Sequence, residues 1–184
     1  VNECFYVYLL STSRIKTIFA PKFELMNSYF DSISKDEYAL LQEAIFDVTI
    51  LIAGADGQID QEEKDWADKI ANIRSYSGPE ILREFYGQID GYFETHLQER
   101  IEEAPKDVEE RNVELATSLR NLNPILAKLP QEVGATYYES ITSLATHIAK
   151  ASGGFMRIWA ISSEEAAWVE LPMITPIEFP ETKE

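Results

Sequence analysis

AIFDVTILIAGADGQIDQEEKDW, residues 44–66, decides the fold class of this 184-residue chain. Its opening run, Ala44 to Ala55, is apolar almost all round and carries a single charge, Asp47. A helix hydrophobic on every side belongs at the centre of a bundle. Upstream, Leu41, Ile45, Val48 and Ile52 recur at steps of four, three and four, the period of a helix face. Ser34 and Glu37 stand at capping-box spacing before them, each satisfying a backbone donor at the helix start. The helix must end near Ala55, because Asp56-Gly57 is a turn pair and glycine takes the left-handed backbone that other residues resist. Asp60 with Glu63 repeats the capping pattern and opens a second helix with Trp66, Ile70 and Ile73 on its apolar face.

The same signals punctuate the rest of the chain. Ser77-Gly78-Pro79-Glu80 starts a further helical section, whose apolar spacing from Ile81 to Ile101 is interrupted by Gly87 and Gly91, so it is either two short helices or one kinked helix. Pro105 closes it. From Asp107, Leu115, Leu119, Leu122, Leu126 and Leu129 mark a long packed helix that Asn123-Pro124 bends or breaks. Pro130 opens another helix through Tyr137 and Ile141 to Ala151. Ser162 and Glu165 form a last capping box, and a Pro-containing tail spans 172–184. No strand pattern of useful length is evident, so the expected class is all-α.

Composition narrows the function. An apolar share of 45% with 26% charged residues describes a globular protein. The net charge of −16 repels phosphate backbones and anionic membranes, which argues against nucleic acid as a partner. It attracts cations and basic partners, though an acidic surface is also a common solubility device. The lone Cys4 leaves no internal disulfide and no cysteine-rich zinc site, as befits a reducing compartment. The apolar run Phe5–Leu10 follows Glu3, lacks a cleavage site and is too short to span a bilayer, so direct membrane insertion is not expected and a cytoplasmic location is. Residues 1–25 carry three basic and two acidic residues and no helical period, unlike the rest of the chain. With Met26 just before the first clear helix, they are either an overrun beyond the true start or an accessory arm, ahead of a single helical domain at 26–171.

That domain contains an internal repeat. Ile45, Val48, Ile52, Ala53 and Ala55 correspond to Ile141, Leu144, Ile148, Ala149 and Ala151 at one constant offset. Ile59 to Glu63 and Trp66 correspond to Ile161 to Glu165 and Trp168 after a short insertion. Two helix-turn-helix halves are implied, about 34–75 and 130–170, and the simplest bundle packs their long helices together. The run IAGADGQIDQEEKDW resembles the repeated signature of the TerB-like, tellurite-resistance family, with IAKASGG and ISSEEAAW as a degenerate second copy. The resemblance implies a TerB-like helical bundle and a cytoplasmic, stress-linked role, related also to the amino-terminal domain of a membrane-linked co-chaperone. It further implies divalent-cation binding by acidic residues.

Three functions compete. The first is a non-enzymatic module that binds a protein partner, with Phe155 and Trp159, in the insertion between the halves, as the expected contact surface. The second is a cation binder or sensor for calcium or magnesium, with Asp56, Asp60 and Glu63 as oxygen ligands and Asp47 as a fourth. The turn is no EF-hand, since Ile52 and Gly54 occupy the first two ligand positions. A structural account of the same residues has Asp56 shaping the turn, Asp60 capping the helix and Asp47 bonded to a neighbouring helix. The third, a carboxylate-based hydrolase, is the weakest. His96 and His147 lack zinc-protease spacing, and neither a phosphate-cradling loop nor a nucleophile elbow is present, so no catalytic residue is assigned and the protein is expected not to be an enzyme.

Overall fold

The computed structural model describes residues 7–11, 14–18, 27–55, 57, 59, 61–151 and 167–181, the first two stretches by backbone alone. From Asn27 on, the described chain is all-helical. A 3-10 turn at Ser28–Phe30 leads into α1 (Lys35–Ala53), α2 (Gln61–Ser77), α3 (Glu80–Asp90), α4 (Phe93–Glu103), α5 (Val108–Arg120), the single turn α6 (Asn123–Leu126) and α7 (Gln131–Ala151). Ahead of it lies an element the sequence pattern did not suggest, a two-stranded antiparallel hairpin of β1 (Val7–Ser11) and β2 (Arg14–Ile18). Each strand has only five residues, too few for a long alternating pattern. The two-residue link between them, which holds Ser11 opposite Arg14, is nevertheless the favoured hairpin length.

α1 is the axis of the bundle. Ser34 Oγ accepts from the Glu37 amide at 3.2 Å while Glu37 Oε2 accepts from the Ser34 amide at 2.9 Å, so the capping box forms as expected. From Leu41 to Ala53 almost every side chain is buried. α7, α5, α2 and α4 pack around it. The two long helices meet directly, and Tyr137 Oη of α7 donates to the Leu41 carbonyl of α1 at 2.7 Å. One end of the core is aromatic, with Phe85 edge-on to Tyr38, Tyr86 and Tyr137 and stacked on Phe30. The break in the α3–α4 section falls at Gly91 and leaves Gly87 inside α3. Asp107 caps α5, and the helix does break, ending at Arg120 and resuming at Asn123 with Pro124 in the first turn of α6.

α2 sits differently from the sequence expectation. Its buried residues are Glu63, Ala67, Ile70 and Ala71, while Trp66 and Ile73 face outward. Small side chains let α2 approach α1 and α7 closely, and the bulky Trp66 is turned out of that contact. Beyond α7, Leu171, Met173 and Ile174 close the core as a strap across α6. Asn123 holds the strap at two points, donating from Nδ2 to the Met173 carbonyl at 3.0 Å and accepting the Thr175 amide at 2.8 Å. The second helix of the expected second half, with its Ser162 and Glu165, lies outside the described residues, and Ala167–Glu170 form a turn. The duplication therefore continues to rest on the sequence correspondences.

Candidate functional site

A dense polar cluster that brings carboxylates together with a histidine and an arginine lies in the seam between α1 and α4. Glu43 and Asp47 lie one helical turn apart on α1; His96 and Arg100 lie one turn apart on α4 and face them. His96 Nε2 stands 2.9 and 3.0 Å from the two Glu43 carboxylate oxygens. Arg100 donates from Nη2 to Asp47 Oδ1 and brings Nε within 3.7 Å of Glu43. Ser118 of α5 donates to Asp47 Oδ2 at 2.7 Å. Asp47 is 1% exposed, so a carboxylate there requires this full set of partners. Burial pushes the His96 imidazole down, but the hydrogen bond and charge of Glu43 outweigh it and leave its pKa raised. Phe46 and Tyr92 pack edge-on against the same ring. Both Asp47 oxygens are thus engaged within the bundle, the helix-to-helix bond that the sequence required without naming its partner.

The α1–α2 turn is built around an arginine. Gly57 adopts φ = 96°, the left-handed conformation expected of the Asp-Gly pair. Arg111 of α5 is buried and donates from Nη2 to the Gly54 carbonyl at the carboxy-terminal end of α1, where the helix dipole favours a cation. A Cβ on Gly54 would come within 2.8 Å of that guanidinium nitrogen, so glycine makes room for it. Of the four expected cation ligands, Asp56 and Asp60 lie outside the described residues. Glu63 is buried in the first turn of α2 and is engaged, and Asp47 is committed to Arg100 and Ser118. Among the described residues no group of three or more His, Cys, Asp or Glu is arranged to hold a metal.

Among the described residues, two apolar surface features each gather several side chains. Trp66, Ile73 and Tyr76 lie in line along the outer face of α2, seven and three residues apart, with Tyr76 64% exposed. Lys69 lies over the Trp66 ring at 4.7 Å, on the same face. On the α5 side, a groove of 330 Å³ runs between that helix and the strap, with Val113, Ala116, Trp168 and Met173 in its walls and Arg120 at its edge. Phe155 and Trp159, the expected contact residues, lie outside the described residues. The α2 face was visible in the sequence only as part of a helical period that also included the buried Ile70, and period alone does not say which edge of a stripe is covered.

No protein-family model matches the chain, and no curated protein or solved structure matches it either. The likeness to the tellurite-resistance family therefore rests on the residues quoted above. Among the described residues no helix is long and apolar enough to cross a membrane.

Proposed function

We propose that the protein is a non-enzymatic helical module that acts by binding a protein partner, in a stress response of the tellurite-resistance type. The observation that carries the binding role is the exposed line Trp66–Ile73–Tyr76 on α2. Large apolar groups set in line on a surface mark interaction sites more often than scattered ones do. In the α1–α4 seam, by contrast, the carboxylates are committed to internal partners: Glu43 to His96, Asp47 to Arg100 and Ser118. Such pairing supports a scaffold better than a reaction centre.

A photo-crosslinking residue placed at Tyr76, or at Phe155 or Trp159, should yield one discrete adduct in the native host, lost when Trp66→Asp is added. The same residue at Glu109, exposed on α5, should yield none. Equal, diffuse labelling from all positions would remove the binding role. Tellurite tolerance lost with the gene should return with the wild-type chain and not with Tyr76→Asp; unchanged tolerance would remove the stress assignment alone. Cation binding at the turn is the competing account. Calorimetric titration with calcium and magnesium, repeated on Asp56→Ala with Glu63→Ala, should show no saturable heat that the substitutions abolish.

A further inference from the structure

The outer face of α2 carries more information than its apolar content, on the footing that the protein acts by binding a partner. Beside the line of Trp66, Ile73 and Tyr76, and past the Lys69 ammonium that rests on the Trp66 ring, the surface toward α3 is acidic. Asp65 and Asp68 of α2 stand with Asp90 of α3 and Glu94 of α4. Asn72 Nδ2 donates to Asp90 Oδ1 at 2.9 Å and ties the two helices at this point. Burial, and then the charges of Asp90, Glu94 and Asp65, hold the Asp68 carboxyl above its ordinary range. Like charges are crowded here at a cost that an incoming cation would relieve. Apolar line and acidic flank run side by side along one helix, which is the complement of a helix with an apolar face bordered by basic residues.

We propose that the outer face of α2 docks a basic amphipathic helix of a protein partner. The partner's apolar side chains seat on Trp66, Ile73 and Tyr76, and its Lys or Arg residues reach Asp65, Asp68, Asp90 and Glu94. A second copy of this chain is a poor occupant, because it would bring another net charge of −16 to an acidic face.

The probe is a synthetic helical peptide of about 18 residues with leucine at helical spacing and lysine elsewhere, compared with the same peptide carrying glutamate for lysine. Binding to the full chain is followed by calorimetry at physiological ionic strength. The lysine peptide should bind one to one, and the glutamate peptide should not. Tyr76→Asp, at an exposed position that spares the fold, should weaken binding about tenfold although it adds negative charge, and Ile73→Asp with Tyr76→Asp should weaken it further. Asp65→Asn with Asp68→Asn should weaken it and flatten its salt dependence. Unchanged or tighter binding by the Tyr76→Asp variant would reduce the effect to bulk charge attraction and overturn the docking face. Equal binding of both peptides would overturn the basic partner. A wild-type dimer in sedimentation equilibrium that Tyr76→Asp dissociates would give the face to a second copy instead. If neither peptide binds while the crosslinked adduct at Tyr76 persists, the basic helix is wrong and the broader binding role survives.

Discussion

Arg100 and Arg74 each reach from a shorter helix to one of the two long ones, Arg100 from α4 to α1 and Arg74 from α2 to α7. By the sequence correspondence alone, the residues they reach are counterparts, Asp47 for Arg100 and Ser143 for Arg74. The bundle receives them differently. Arg100 meets two carboxylates, one of which, Asp47, also accepts from the Ser118 hydroxyl. Arg74 meets neutral oxygens: Tyr86 Oη at 2.9 Å, the Ser140 carbonyl at 2.9 Å and its hydroxyl at 3.1 Å, and Ser143 Oγ at 3.1 Å. Its guanidinium also lies over the Tyr86 ring. No described carboxylate pairs with it. One seam thus balances charge against charge, and the other surrounds a charge with dipoles. The consequence lies in what each leaves behind when its arginine is removed.

Among the described residues, removing Arg100 leaves Asp47 with Ser118 as its hydrogen-bond partner. Arg100→Met should therefore cost about 3–5 kcal/mol in urea unfolding, the usual penalty for an uncompensated buried charge. Arg74→Met leaves Tyr86 and Ser140 hydrogen-bonded to each other at 2.7 Å, so its cost should be smaller, about 1–3 kcal/mol. A loss at Arg74 equal to that at Arg100 would erase the distinction between the seams. Replacing both partners, Asp47→Leu with Arg100→Met, should recover most of the single-variant loss and come within about 1–2 kcal/mol of wild type. Failure to recover would mean that Arg100 contributes mainly through packing or through Glu43.

The smallest expected effect is in pH dependence, and it belongs to the charged seam alone. His96 has a raised folded pKa, so the stability it adds is complete below the unfolded value of 6.5 and is lost as pH rises through the folded value. The stability difference between wild type and His96→Gln should accordingly narrow as pH climbs from below 6.5. A gap that is constant, or that widens toward alkaline pH, would show that His96 acts as a neutral packing group.

Most of the helical framework is legible in the sequence, because its boundaries are set locally. Ser34 with Glu37, Asp107 and Pro130 mark helix starts through neighbouring residues alone, and the Asn123-Pro124 break comes from a missing donor and a steric clash that need no tertiary context. The site is legible by half. Asp47 in an apolar run demands a partner, but Arg100 lies 53 residues away, and no local signal connects them. The clue the sequence does hold is the matched one-turn spacing of Glu43 with Asp47 and of His96 with Arg100, opposite charges at the same pitch on two helices. Phe30 and Ile33 are buried in the core although they precede the first periodic helix, because a 3-10 turn packs without leaving a period to read. The hairpin at Val7–Ile18 escapes for the opposite reason, being local but too short to register against a helical background.

The strap has a kinetic side. Leu171 is fully buried yet sits at φ = 48°, a backbone conformation that a leucine does not choose for itself. Its side chain and the Asn123 clamp hold the peptide chain in place, so opening the strap relieves the backbone while the helices still stand. In hydrogen exchange the amides of Leu171, Ile174 and Thr175 should therefore trade protons through a partial opening, well before those at the centre of α1. Each such breath would loosen the cover over the α6 end of the core for a moment, which makes this end of the molecule the natural entry point for a protease or a chaperone.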